Sequence, residues 1–564
     1  MSHLLAIAVG PVQEFIAAAR RTRDLWFGSH LLSQVSRAVA LTVERHGSLI
    51  FPATSGADNV ANVILVELNG TADPKEVVAT AKQAARDCWK QFAEEAHGIA
   101  ARVIRNDIWD GQVDDVVEFY AAWVPRTEDY QLDRARAMRL LAGRKNCRDF
   151  LPAKGLAGVP KSSLDGQRES VLKDGNRENR TKRLRLSPGE QLDVVGVVKR
   201  LGSKRGESHL SYPSVARVAA ETWLQGVRNT PDYAALKTAC AGVTDLNKVA
   251  EINYQYFPFE GTILYKDRHP DLVEELGIGA DDLKPVAEAL RKLGGEPNPY
   301  LAILVADGDK MGEALSRLDS ADDHRKFSQS LAEFAGGARM VVNEHNGVLI
   351  YAGGDDVIAF VPVDKCLPCA RKLHDEFGAR MKQWSDMTHK NLTLSVGVAI
   401  GHFMENLEDL LEYGRVAEKH SKQPDRDGLA IHLHKRGGAP IRVRAKWSEN
   451  PEVRILDYAE SFNREDMPGK LAYELRTLAE IYDGWSKETD SQKARIASAI
   501  TQDVTRLLSK KQPGSGNVLS LDVSRVKDSQ SLSLFAEELL VARLIATATR
   551  QAGGSPARNT ETTS

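Results

Sequence analysis

The chain is poor in cysteine: Cys88, Cys147, Cys240, Cys366 and Cys369 are an odd number, widely scattered. That spacing excludes a disulfide framework and fits a reducing cytoplasm. Long apolar runs are missing too. None approaches the ~18 residues of a membrane span. The opening MSHLLAIAVGPVQEF has too short an apolar stretch, with no basic residues before it, to be a signal peptide. The expectation is a cytoplasmic protein without a membrane partner. There is also no excess of one charge: Lys plus Arg is 75 and Asp plus Glu is 77 in 564 residues. Bulk charge therefore points to no nucleic-acid partner, and only a local cluster can.

What is present is enough apolar sequence, 42%, for three or four domains at ~100–200 residues each. Leu4 to Val9 reads as a buried strand ended by Gly10-Pro11, and Val12 to Arg23 has helical spacing. A second helix is expected over GSHLLSQVSRAVALTVERHG, with Ser29 as its cap and Gly47 as its stop. SLIFPA and ANVILVEL follow as strands and DPKEVVATAKQAARDCWKQFAEEA as a long helix, an order that reads as a palm-like or ferredoxin-like unit. The same order returns from Tyr300: strand, helix, hairpin, helix, strand, helix, and GLAIHLHK to close. The fold class is α+β, two ferredoxin-like palm units plus two largely helical regions. The boundaries fall at 1–130, 131–295, 296–437 and 438–564. The middle region carries the densest basic cluster, Arg177, Arg180, Lys182, Arg183 and Arg185, either a solvated loop or an RNA-backbone contact.

The chemistry sits in LIYAGGDDVIAF, where Gly353, Gly354, Asp355 and Asp356 join two strand-like runs. A plain hairpin needs no second carboxylate, and adjacent acids on a tight turn repel unless a cation relieves them. Asp307 and Asp309 lie just past the strand that neighbours this hairpin in a ferredoxin-like order. Carboxylates gathered at one point with only oxygen ligands favour Mg²⁺ or Mn²⁺, which complete their shells with substrate phosphates. The glycines let backbone approach a nucleotide closely. The bland alternative is an acidic, solvated turn.

YLAILVADGDKMG, LIYAGGDDVIAF, LTLSVGVAIG and RVAEKHSKQPDRDGLAI together resemble a GGDEF-type palm polymerase and cyclase domain. With a second palm, the chain resembles the large subunit of type III CRISPR effector complexes, the Cas-ten or Cmr-two family. IAVGPVQEFIAAARRTRDLWFGSHLLS is similar to its Cmr-like, III-B branch, as are LDVVGVVKR and YPSVARVAAETWL. The resemblance implies target-RNA-activated, metal-dependent synthesis of cyclic oligoadenylates from ATP, in a ribonucleoprotein with guide RNA, target RNA and other Cmr-type subunits. Asp307, Asp355 and Asp356 match the metal-binding acids, with Asp355 and Asp356 catalytic, and Asp309 matches the turn. Lys422 matches a lysine that touches triphosphate, or is a helix-end lysine aiding the dipole. Ser395 either faces the base or fills its strand. The first palm, with SLIFPATSGADN in place of an acidic hairpin, is expected to lack catalysis and to offer a surface for a second ATP.

Three departures from the family stand out. Many members begin with a histidine-aspartate nuclease domain. Here the first palm starts at Leu4, and the one His-Asp doublet, His374-Asp375, reads as a surface pair, so no DNase activity is expected. The stretch PKSSLDGQRESVL has no cysteine, and Cys366 with Cys369 lacks a second pair, so structural zinc is not expected. GLAGVPKSS is not a phosphate-binding loop, since Pro160 replaces its glycine. Two rival functions remain: a free-standing GGDEF-type cyclase, and a non-catalytic RNA-binding scaffold.

Overall fold

The computed structural model describes residues 2–56, 60–147, 155–173, 184–187, 189–202, 212–246, 248–249, 252–485, 489–510 and 523–552. The basic cluster lies outside these except for Arg185. The first unit has four strands: β1 (His3–Gly10), β2 (Gly47–Phe51), β3 (Val63–Leu68) and β4 (Glu118–Pro125). They lie in the order β2-β3-β1-β4. β1 is buried on both faces because its residues alternate between two cores. Leu5, Ile7 and Val9 meet the helices Thr22–Glu44 and Pro74–Ala100, while Leu4, Ala6 and Ala8 meet the helix Tyr130–Asn146.

The second unit holds β5 (Tyr300–Gly308), β6 (Val348–Gly353), β7 (Asp356–Val361), β8 (Leu394–His402), β9 (Gly428–Leu433) and β10 (Ile441–Lys446). Their order is β10-β9-β8-β5-β7-β6. Within it β8-β5-β7-β6 repeats β4-β1-β3-β2 of the first unit, so the duplication read from the sequence is a shared strand order. The helices Ala321–Glu344 and Cys366–Thr388 cover one face, and Leu407–Ser421 lies on the other. β10 extends the sheet to Lys446, past residue 437. Among the described residues four α-helices follow, Pro451–Asn463, Leu471–Asp483, Asp490–Lys510 and Ser529–Ala552.

The entry to the first unit differs from the expectation. A short helix, Gln13–Ala17, comes first, and one long helix then runs Thr22–Glu44 through Gly28 and Ser29. Gly28 is no break; it makes room for Lys199, whose Cε would stand 2.9 Å from an added Cβ. Lys199 belongs to the buried helix Val194–Leu201, and its Nζ donates to the carbonyls of Phe15 and Ala18. The neighbouring Arg200 is ion-paired with Asp24 and Glu190 at 2.8 and 2.9 Å. Buried charges are tolerated only when paired or hydrogen-bonded in this way.

The two palms touch directly. Arg325 Nε donates to the Leu49 carbonyl at 2.8 Å, and the Tyr130 hydroxyl and His324 Nδ1 are 2.6 Å apart.

Candidate active site at the end of the second palm

β5 lies between β8 and β7, with Asp307 opposite Ser395 and Ala306 opposite Val357. The hairpin closes with Gly353 opposite Asp356, leaving Gly354-Asp355 as a two-residue turn. Gly354 has φ of +67°, the left-handed backbone that glycine adopts without strain. Register alone therefore brings the tip of the hairpin beside the end of β5. Gly308 then sets how close it comes: a Cβ there would stand 2.7 Å from Asp355 Cβ and 2.9 Å from its Oδ2. Gly308→Ala is expected to push Asp355 away from Asp307 and cut turnover about 10²-fold, the cost of roughly 1 Å of misplacement. A steady-state assay on a variant of unchanged thermal midpoint checks this.

The electrostatics show how crowded the acids are. Burial, and then the charge of Asp307, push the Asp355 carboxyl up to about 6. Asp356 moves the same way through desolvation, a hydrogen bond with the Asp307 carboxyl, and the charges of Asp355 and Asp307. Asp356 is exposed as a residue, so we ascribe its shift mainly to the neighbouring acids. The Tyr351 hydroxyl, beneath the turn, is raised by burial and by the same two aspartates.

Among the described residues, Lys422 is the cation that answers the three acids. Lys422 Nζ lies 2.5 Å from Asp307 Oδ2 and 2.6 Å from Glu418 Oε1. Burial by itself would lower its pKa, but hydrogen bonds and charge from Asp307 and Glu418 raise it. Lys422 reaches the site because the helix Leu407–Ser421 lies flat on β8, where a Cβ on Gly397 would meet the Glu418 nitrogen at 2.1 Å.

This donor set fits a hard divalent cation: all ligands are carboxylate oxygens, the like charges are under-compensated, and no soft donor intervenes. Among the described residues no three His, Cys, Asp or Glu side chains stand in a metal-holding arrangement. Millimolar Mg²⁺ or Mn²⁺ is expected to raise the thermal midpoint at pH 7.5, by the equivalent of ~2.7 kcal/mol at a hundred times the dissociation constant. The gain should vanish in the Asp355→Ala, Asp356→Ala double variant.

Asp309 is not part of this group. It is fully buried, and its Oδ2 accepts from Thr393 Oγ1 and Ser395 Oγ at 2.8 Å and from the Asp427 amide at 3.1 Å. Arg426 Nη1 stands 3.6 Å from its other oxygen. Ser395 is itself buried with its hydroxyl given to Asp309, which is the strand-filling geometry of its two readings. Gly353 packs over the Tyr351 ring and Gly354 opens to empty space.

Sequence reasoning missed Gly308, Tyr351 and Glu418. The i,i+4 spacing of Glu418 and Lys422 was the available signal for the last.

The remaining candidates are structural here. His374 bridges Asp375 and Asp427, each at 3.1 Å, and packs on Trp447. Cys366 and Cys369 are fully buried at a helix start. In the first palm, Asp58 of the β2–β3 connection lies outside the described residues.

Comparison with known proteins bears on the fold and on the two palm regions. Residues 300–430 match the Cas10/Cmr2 second palm domain, and residues 4–105 match the N-terminal region of CRISPR-associated protein Cmr2. The Cmr subunit Cmr2 of Pyrococcus furiosus is 26% identical over 552 residues, covering 77% of this chain. The match spans 62% of that relative's length. Among solved structures, a chain of the apo type III-B Cmr-beta complex matches with a TM-score of 0.68 at 13% identity, over 97% of this chain and 82% of that one. The same complex bound to cognate target RNA gives 0.69 at 13% identity, over 97% and 83%. Both show a shared fold.

Proposed function

The chain belongs to the Cas10/Cmr2 family, and from that premise we propose that its second palm joins ATP into cyclic oligoadenylates within an RNA-guided, type III-B-like effector complex. The observation that carries this reading is the meeting of Asp307, Asp355 and Asp356 with Lys422 at one end of β5. Three crowded acids with one ammonium suit a triphosphate arriving with divalent cations.

Asp307, Asp355 and Asp356 are the residues that would hold Mg²⁺ or Mn²⁺, which neutralises phosphate charge and acidifies the attacking hydroxyl. In each joining step the 3′ hydroxyl of one nucleotide loses its proton to water and its oxygen bonds to the α-phosphorus of another. The bond from that phosphorus to the β-phosphate's bridging oxygen breaks, and pyrophosphate leaves. Lys422 exchanges its hold on Asp307 for the triphosphate, and bare Gly354 admits the nucleotide to the turn, while Gly353 leaves room for the Tyr351 ring beneath it. The first palm offers the surface for the second nucleotide. Guide RNA, target RNA and other Cmr-type subunits are the proposed partners, and likeness to chains of Cmr-beta complexes supports them. Among the described residues no helix is long and apolar enough to cross a membrane.

The test uses the assembled complex with guide RNA, ATP and Mg²⁺, with and without matching target RNA, and products identified by mass. Target-dependent oligoadenylates that disappear in the Asp355→Ala, Asp356→Ala variant are expected. Turnover without RNA, or on GTP, would point instead to a free-standing cyclase. No turnover with RNA binding intact would leave a scaffold.

A further inference from the structure

A cleft of ≈530 Å³ lies where the first palm, the middle region and the second palm meet. Its second-palm wall is Phe403, Met404 and Leu407, which follow β8. β8 runs from Ser395, opposite Asp307, to His402, opposite Tyr300. Seven residues of strand put that wall about 24 Å from the three acids. The cleft is therefore a separate place from the candidate active site.

Its charge is unusual for an interior. Six arginines line it. Three have carboxylate partners: Arg21 pairs with Glu275, Arg200 with Asp24 and Glu190, and Arg268 with Asp271. Arg20, Arg23 and Arg185 have no such partner among the described residues. Among the described residues, Arg20 donates to the Ser163 carbonyl and Arg23 to the Gly202 carbonyl, at 3.3 and 2.8 Å. Arg185 Nη1 is buried with no hydrogen-bond partner, on a backbone with φ of +50°. A buried guanidinium nitrogen left unpaired is costly, and residues held in left-handed backbone cluster at functional sites. Glu260, also in the wall, is engaged by Ser214 and the Gly261 amide. Burial holds Arg23 below the usual guanidinium range. Against the help of Asp24, the charges of Arg200, Arg185 and Arg21 push it the same way. Tyr212, Leu276 and Phe403 give the wall an apolar and aromatic side, beside Thr22, Ser214, Thr262 and the Glu275 that pairs with Arg21.

We propose that this cleft binds a small polyphosphate-bearing ligand with a ring, of the nucleoside polyphosphate class, as an effector distinct from the reacting nucleotides. Planar guanidinium forks match phosphate oxygens, and three of them exceed what one carboxylate needs. The volume is that of a small-molecule site, and the apolar wall suits a base or sugar face.

The experiment is calorimetric titration of the purified full chain with ATP, and separately with inorganic tripolyphosphate, in EDTA. Both are expected to bind one site without metal, ATP more tightly. Arg20→Glu and Arg185→Gln should each weaken binding at least tenfold, and the Asp355→Ala, Asp356→Ala double variant should leave it unchanged. Arg20 is exposed, so its variant tests the site even if Arg185→Gln unfolds. Absent binding, indifference to Arg20, or loss in the aspartate variant would overturn the proposal. So would Arg20-dependent binding of single-stranded RNA with no binding of either small anion, which would assign the cleft to RNA.

Discussion

Asp355→Asn is expected to reduce turnover by about 10³-fold, the upper range for removing one electrostatic element of a reaction centre, while making the folded protein more stable at pH 8. The two effects have one cause. The folded-state pKa of Asp355 is about 6 against an ordinary 3.8, raised by burial and by Asp307. Below pH 3.8 the group is protonated folded and unfolded, and it contributes nothing to the difference. As pH rises from about 4 to about 6 the folded state retains a proton that the unfolded state has released, so stability falls. Above about pH 6 the penalty is complete, roughly 2 pKa units or about 3 kcal/mol. Asparagine removes it. Thermal midpoints at pH 5 and pH 8 should show the variant ahead of the parent, with the larger gap at pH 8. Mg²⁺ should close the gap by stabilising the parent alone. A variant less stable than the parent at pH 8 would mean that the carboxylate is held by favourable contacts rather than by strain. Strain of this kind is what a site awaiting a cation and a triphosphate should store.

How much of this was legible follows from where side-chain period decides position. The hairpin acids and Asp307 could be placed because strand alternation and register fix them, and the structure keeps that register. Asp309 could not. It lies two residues past Asp307 and would share its face if β5 continued. The strand ends at Gly308, however, and Lys310 turns the chain with φ of +61°. No residue type in DGDKMG announces which way Asp309 then points. β10 was legible and overlooked: Ile441, Val443 and Ala445 are buried and alternate with Arg442, Arg444 and Lys446, a clean period of two. The middle region hid for the opposite reason. Lys199, Arg200 and Arg217 sit in its interior, Lys199 on the carbonyls of Phe15 and Ala18, Arg200 on Asp24 and Glu190, and Arg217 on Glu221, so hydrophobic pattern misreads it. Gly28 looks like a break between two helices until the fold reveals the lysine that needs the space.

Asp309→Ala is expected to destabilise the second palm strongly, by about 2–4 kcal/mol, through the hydrogen-bond donors it leaves without an acceptor. The carboxylate joins three pieces of chain at one point: the end of β5, Thr393 and Ser395 at the start of β8, and the loop carrying Arg426 and Asp427. Its removal leaves the buried Ser395 hydroxyl without an acceptor, along with the part-buried Thr393 hydroxyl and Asp427 amide, at about 1–3 kcal/mol for the buried group and less for the two that water can reach. Arg426 and Asp427 both hold left-handed backbone, with φ of +62° and +48°, a conformation that persists only when its surroundings enforce it. The same loop follows Lys422, so loosening it should also lower turnover by freeing the ammonium from Asp307. Asp309→Asn retains one acceptor oxygen but brings an amide donor towards Arg426 if that oxygen keeps the three donors. Its thermal midpoint should fall between those of the parent and the alanine variant. In Asp309→Asn, Mg²⁺ should still raise the midpoint, because this carboxylate is not among the three proposed to hold the ion. An Asp309→Asn protein as stable as the parent but deaf to Mg²⁺ would make Asp309 a metal ligand. The tie seen here between β5, β8 and the loop would then be secondary to it.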